Sequence, residues 1–548
     1  MYRRSDPNQL SFEEFDLPFG GKLRSDNRWV ILSKQIPWDE VEKEYIVHFS
    51  KEDMGSPAKS SRMAFGALIL KERLGVTDRE LVQQITENHF LQYFLGLSTY
   101  QYTAPFHDSM LTHFRKRFSQ KSLEKINESI ALAAKKMETT EEAAEEPPKS
   151  DQDDTAAKGK LIVDATCTPA DIKYPTDLNL LNEAREKTED IIDRMHALRT
   201  EPIKKPRTYR QKARKTYLLV SKARQPGRKL MRRGVGKQLG YVKRNLQSIS
   251  AMAQEGLLAQ LETDRYRQVL IINELYRQQA EMHINKIHRI SDRIVSISQP
   301  HVRPIVRGKA GAKVEFGAKV SVSLIDGISF VDRISWDAYN ESEDLKIQIE
   351  RYRKRYGHYP ESVHADKIYR TRDNLRYCKD KGIRLSGPAL GRPKKRTNEN
   401  AAELAAHKKL LRQDEIDRIA IEGKFGQGKR RFGLSRIMAK LAATSETMIL
   451  LSFMVMNLEK MLTKALSFCL HSCSTLLCLL MKALSHLGDP YSGLSRRNWH
   501  GSESRLKDTA EKFTQNFQVC FGRISSLTFS ASPMYRGAAL LKPLVPSL

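Results

Sequence analysis

Lys160-Leu161-Ile162-Val163-Asp164-Ala165-Thr166-Cys167 is a short apolar run with one carboxylate set into it, and its reading decides the fold. A run of this length, rich in Ile and Val, reads as a buried strand rather than a helix. Asp164 then falls at or just past the strand's end. His358 to Asp366 reads as a second such strand, closing on His364-Ala365-Asp366. Arg418-Ile419-Ala420-Ile421-Glu422 lies instead in a helical stretch, Glu403 to Glu422, with Lys429 beyond it. At about 100° per residue, Arg418, Glu422 and Lys429 fall near ~0°, ~40° and ~20°, on one narrow helical stripe. Gly423, Gly426 and Gly428 interrupt this picture. Each costs about 1 kcal/mol in a helix, so either the helix ends there or another backbone approaches closely.

Working outward, Asp177 to Ile297 reads as long helices rich in Arg, Lys, Glu and Gln. Strand character returns at Lys313: Val320, Val322 and Leu324 alternate with polar residues, Asp326-Gly327 supplies a tight turn, and Ile328 and Phe330 resume the alternation. Asp-Gly between alternating runs signals a hairpin. Glu343 to Tyr356 and Asn374 to Lys381 read as helices, Ile383 to Leu385 as a last strand, and Gly387 to Arg396 as a basic loop. Strand, hairpin, helix, strand, helix, strand, helix is the order of a ribonuclease H-like α/β core with a mixed sheet. Here the first strand is followed by a long helical insertion.

Residues 1–136 read as an all-α N-terminal domain. Trp38 to Phe49 is amphipathic, and Arg62 to Leu74 is a helix ended by Gly75. Thr77-Asp78-Arg79-Glu80 then has the form of a capping box, with Leu81, Val82 and Ile85 on one face behind it. Helix, glycine turn and capped helix make a helix-turn-helix candidate, with a plain helical bundle as the alternative. A further helix, Asp108 to Phe118, ends in Arg115-Lys116-Arg117. Residues 137–159, rich in Glu, Asp, Ala and Pro, read as a disordered acidic linker. The expected division is therefore 1–136, the linker, a core built from 160–176 and 298–460, an insertion at 177–297, and a helical or irregular tail at 461–548.

The 548 residues carry a formal net charge of +28, a field that calls for a polyanionic partner. The longest apolar run, Met448 to Met456, is too short for a bilayer that needs roughly 20 residues. Met1-Tyr2-Arg3-Arg4 leads into polar sequence with no signal core, so a cytoplasmic, nucleoid-associated protein is expected, with nucleic acid rather than membrane as partner. Lys204 to Arg244 is densely basic, with Tyr209, Tyr217 and Tyr241 interleaved, a pattern suited to a phosphate backbone with tyrosines available for stacking. Six cysteines are scattered without a CxxC pair and read as reduced thiols. Cys469, His471, Cys473 and Cys478 lack zinc spacing and read as buried helix packing.

If the strands ending at Asp164 and Asp366 lie side by side, a helix packed on the sheet can bring Glu422 across to them. Three carboxylates of this kind suit two Mg²⁺ ions (Mn²⁺ is also compatible) and phosphoryl transfer on nucleic acid. At these residues the chain resembles the bacterial insertion-sequence DDE transposases of the insertion-sequence four/five superfamily. The resemblance rests on Asp164-Ala165-Thr166 with Tyr174-Pro175-Thr176-Asp177, on Ala365-Asp366-Lys367-Ile368-Tyr369-Arg370, and on Glu422-Gly423-Lys424-Phe425-Gly426. It extends from about residue 10 to residue 460. The superfamily signature Y-x2-R-x3-E-x6-K falls on Arg418, Glu422 and Lys429, while Glu415 stands where it has tyrosine.

The resemblance implies Asp164, Asp366 and Glu422 as catalytic metal ligands. It also implies an N-terminal domain that contacts the element's terminal repeats, and a homodimer on paired DNA ends. DNA contacts are expected at Arg418, Lys429, Lys424, Arg370 and Arg430, and at Arg115, Lys116 and Arg117. Two other readings stay open: a non-catalytic DNA-binding protein derived from a transposase, and a nuclease on the same core.

Overall fold

The computed structural model describes residues 14–17, 21–49, 57–145, 157–199, 202–306, 314–391, 397 and 400–487, with side chains described except at 136–145 and 468–487. The chain divides into a unit ending at Ser467 and a second beginning at Phe468, and the sheet lies in the first. In order, the elements are helices α1 (Arg28–Gln35), α2 (Trp38–Ile46), α3 (Ser61–Leu74), α4 (Asp78–Glu87), α5 (His89–Phe94), α6 (Met110–Arg117) and α7 (Gln120–Glu145), then strand β1 (Lys160–Pro169). Helices α8 (Asp177–Ala197), α9 (Arg210–Ser221), α10 (Arg228–Gln254) and α11 (Thr263–Asn285) form the insertion. Strands β2 (Arg303–Val306), β3 (Val314–Ile325) and β4 (Ile328–Ser335) follow, then α12 (Leu345–Tyr356), β5 (Ser362–His364), α13 (Arg372–Asp380), β6 (Arg384–Leu385), α14 (Ala401–Arg431) and α15 (Ala442–Leu487).

The sheet is mixed. Strand β1 sits between antiparallel β3 and parallel β5, β6 continues parallel to β5, and β3 carries both β2 and β4 on its other side. The β3–β4 turn is Asp326-Gly327, with φ of 48° and 74°, the pair of left-handed residues a tight antiparallel hairpin demands. Gly317 faces Pro169 across the β1–β3 ladder, and a Cβ there would lie 2.1 Å from the Thr168 carbonyl oxygen. Only glycine admits that approach. The short edge strand β2, which contains Pro304, escapes a reading based on alternation; proline at an edge needs no ladder partner for its missing N–H.

Helices α1 to α7 do not stand apart. Phe65, Leu68, Phe94, Phe114 and Ile126 belong to one continuous core with Val320, Val322 and Leu324 of β3 and with Ile449, Phe453 and Val455 of α15. Buried Asn457 of α15 stitches that core together. It accepts from Ser329 N at 2.9 Å and donates to Ser329 O at 2.8 Å and to Asn127 Oδ1 of α7 at 2.9 Å. The insertion is different: Leu181, Val242, Ile272 and Leu275 pack among themselves, as do Ile191, Ile249 and Met252.

Three sequence expectations need correction. Asp164 does not close its strand but stands midway along β1, which runs on to Pro169. Helix α7 runs on through the acidic segment to Glu145, so the boundary drawn at residue 136 falls inside a helix; 146–156 lie outside the described residues. Helix α14 does not break at its glycines but continues to Arg431. The Cys469, His471, Cys473 and Cys478 side chains and most of the basic loop after Gly391 also lie outside the described residues. No helix of the described residues is long and apolar enough to cross a membrane.

Candidate active site

The parallel register between β1 and β5 pairs Leu161 with Val363 and Ile162 with His364, so Asp164 and Asp366 project from the same level two residues further along each chain. Helix α14 is docked beside them by ion pairs on its sheet-facing side. Asp414 accepts from Arg384 at 2.7 and 2.9 Å and lies 3.5 Å from buried His364, while Asp417 takes Lys160 at 2.7 Å. Ile421 and Phe425 continue the same face into the core. Arg418 and Glu422 therefore stand along the flank of a helix whose orientation is held by other residues.

Arg418 joins two of the carboxylates. Its Nη1 donates to Asp366 Oδ1 at 3.1 Å and its Nη2 to Glu422 Oε1 at 3.0 Å. Both carboxylates remain about half exposed, at 53% and 54%. Asp366 also accepts from Lys367 N at 2.7 Å, capping a short turn from Lys367 to Tyr369. Asp164 is more enclosed. Burial pushes its carboxyl up to about 6, against the Ala165 N–H that holds its Oδ1 at 2.8 Å; Glu341 and Asp366 add repulsion and Arg418 opposes it. Glu341 itself is paired with Lys319 at 2.8 Å. It opens a short 3-10 turn, Glu341–Glu343, with no motif around it, and nothing in the sequence marked it. Among the described residues no three His, Cys, Asp or Glu converge tightly enough to cage a metal ion.

The other sequence candidates divide by exposure. Lys116 and Arg430 are exposed and Lys429 is half-buried. Lys424 is a correction: it is buried, with Nζ donating to Gly327 O and Met456 O at 3.3 Å, and burial pushes its ammonium down to about 7. A lysine held inside by main-chain carbonyls cannot meet DNA. Arg370 is likewise committed, donating to Leu385 O at 2.8 Å and Ser386 O at 2.5 Å. Arg115 grips Asp78 at the start of α4 through bonds of 3.0 and 2.6 Å. Arg117 donates to the Tyr45 hydroxyl at 2.7 Å and lies over the Phe49 ring. Both are structural. Gly428 serves packing rather than ligand approach, since a Cβ there would meet Leu434 at 2.6 Å. Tyr209 is not free to stack on bases, being covered by Arg207 at 4.7 Å and Arg244 at 5.0 Å.

In the helix-turn-helix candidate, Gly75 adopts φ 66° at the end of α3 and Thr77 Oγ1 accepts from Glu80 N at 3.2 Å. Glu80 itself takes Gln84 at 2.8 Å. The exposed face of α4 mixes Arg79 and Gln83 with Glu80 and Glu87, leaving little positive charge.

Two family models match the chain. One, described as a transposase DDE domain, covers residues 363–459 and so takes in Asp366, Arg418 and Glu422. The other, described as a transposase domain (DUF772), covers residues 18–117. A similar protein, the uncharacterized ORF8 of the nfe locus in Rhizobium meliloti, is 28% identical over 155 residues, covering 28% of this chain and 68% of its own length. No solved structure matches. Both matched models are transposase domains, and together they indicate that this chain is a bacterial insertion-sequence DDE transposase.

Proposed function

We propose that the chain is an active DNA transposase, cutting strands at the terminal repeats of its element and joining them to target DNA. The observation that carries this is the meeting of Asp366 and Glu422 across Arg418, beside Asp164 on the neighbouring strand. The sheet order β4-β3-β1-β5-β6, with β3 antiparallel and β5 and β6 parallel to β1, supports a ribonuclease H-like core.

DDE transposases use divalent metal ions, and the donor chemistry suits them: carboxylate oxygens are hard ligands, and two of them already attract a guanidinium. Asp164, Asp366 and Glu422 would hold two Mg²⁺ ions. Metal bound there supplies activation of water or a 3′-hydroxyl and neutralises charge on the leaving oxygen. The protein's own part is positional. Asp414 and Asp417 fix the rotation of α14, so that Glu422 lies on the side of Asp164 and Asp366. Arg418 bridges Asp366 and Glu422 and offsets their repulsion, and once released its planar fork suits a phosphate oxygen pair. Lys429, Arg430 and Lys116 are the remaining candidates for phosphate contact. A homodimer pairing two DNA ends, working in the cytoplasm at the nucleoid, completes the reading.

The test is incubation of the full chain with labelled duplex carrying the gene's own flanking sequences and Mg²⁺, beside Asp366→Ala. Discrete cuts and joined products from the parent, lost in the variant with binding retained, support the proposal. Cutting by both proteins refutes the site; binding without cutting by either favours a non-catalytic DNA-binding protein.

A further inference from the structure

Residues 202–254 hold sixteen Lys and Arg and no Asp or Glu. A solvated helix face ordinarily mixes signs, because like charges four residues apart cost about 0.2–0.5 kcal/mol a pair. Here Arg228 and Arg232, and Lys229 and Arg233, stand four apart with no acid between them.

The fold sharpens this imbalance. On α9 the buried positions are Ala213 and Val220, and on α10 they include Gln238, Val242, Asn245 and Ile249. At about 100° per residue the cations of both helices centre on the opposite side. The acids of neighbouring α8 are already engaged: Glu189 by Arg185 at 2.7 Å, and Asp193 by Lys205 at 2.5 Å and by Arg210. Lys212, Lys215, Lys222, Arg228, Lys229 and Arg233 are all exposed, and among the described residues none has an ion-pair partner.

We infer that the outer face of α9 and α10 is a binding surface for duplex DNA, held through its phosphates without reading sequence. This rests on the transposase reading above. The dimensions suit the ligand: Arg228 to Arg244 spans about 24 Å of helix, roughly seven base-pair steps at about 3.4 Å. The insertion leaves the sheet at Pro169, five strand residues past Asp164. At about 3.3 Å per residue the root of the insertion therefore stands about 17 Å along the strand from Asp164.

The experiment compares the full chain with a variant carrying Lys212→Gln, Lys215→Gln, Lys222→Gln, Arg228→Gln, Lys229→Gln and Arg233→Gln. Affinity for an unrelated 30-base-pair duplex is read by fluorescence anisotropy from about 50 to 300 mM KCl. Each phosphate contact contributes about 0.9 to the slope of log affinity against log salt, so six lost contacts flatten it by about five. Binding at 100 mM KCl is expected to weaken at least a hundredfold. Circular dichroism checks folding, and a set exchanging Lys for Arg and Arg for Lys at the same six positions should bind like the parent. A slope within one unit of the parent's in the glutamine variant overturns the surface; if that variant still cuts and joins flanking DNA, the transposase reading stands without it. A parent that prefers single-stranded RNA to duplex DNA overturns the assignment of ligand.

Discussion

The N-terminal helices and the inserted helices are both all-α, yet they differ in what they bury and in what they offer to solvent. Residues 21–135 hold seventeen Lys and Arg against fourteen Asp and Glu, and α1 to α7 share one core with β3 and α15. The insertion keeps cores of its own and carries the acid-free stretch 202–254. Even the arginine-rich end of α6 turns inward, with Arg115 on Asp78 and Arg117 on Tyr45. A basic tripeptide is therefore a poor guide to a polyanion surface unless burial is known. Unrelieved charge over fifty residues is a better one, because no fold can neutralise it locally.

The largest effects should test the difference in packing. Phe65→Ala removes a fully buried ring from the shared core and should cost about 3–5 kcal/mol. Because that core is continuous, amides of β3, α3 and α15 should lose hydrogen-exchange protection together. Protection that fails in α1 to α7 alone would break the comparison. Leu181→Ala, in the insertion's own core, should cost about 2–5 kcal/mol. Here exchange should rise across α8 to α11 while α3 stays protected.

A smaller effect concerns pH. Glu72 is buried against Ser452 of α15, and burial pushes its carboxyl up to about 7. A carboxyl whose pKa is raised on folding adds stability that is whole below its unfolded value, near 4.5, and is lost as pH rises through about 7. Glu72→Gln should therefore raise Tm at pH 8, by on the order of 3 kcal/mol in stability at about 1.4 per pKa unit, and change little at pH 4.5. An equal shift at both pH values would show that the gain is not electrostatic. The smallest effect belongs to Lys116→Ala. Losing that exposed cation should flatten the salt slope for DNA by at most about 0.9. A larger change would move the principal DNA surface back to the N-terminal helices.

Several elements were legible because their signals are local. The β3–β4 hairpin follows from Asp326-Gly327, where two positive φ angles need just such residues. The end of α3 at Gly75 and the start of α4 at Thr77 follow from glycine and hydroxyl chemistry at helix termini. Asp366 follows the end of β5 as its sequence suggests, whereas Asp164 lies midway along β1 rather than at a strand end. Other features were not legible. Propensity argued that α14 should fail at Gly423, Gly426 and Gly428, but Gly428 is pressed against Leu434 and Met456, and tertiary packing overrides intrinsic cost. Lys424 is a charged residue beside exposed Gly423 and buried Phe425, and it is the close approach of Gly327 and Met456 that holds its ammonium inside.

By itself, then, the sequence determined the β3–β4 turn, the end of α3 and start of α4, the candidate acids, and the excess of positive charge, since these depend on neighbours along the chain. Tertiary structure alone decided which cations face water and which are bound to carbonyls or acids, that Arg418 bridges Asp366 and Glu422, and that the N-terminal helices share their core with the sheet. The physical reason is burial. Desolvation and ion pairing act between groups far apart in sequence, and no local pattern encodes which of them will meet.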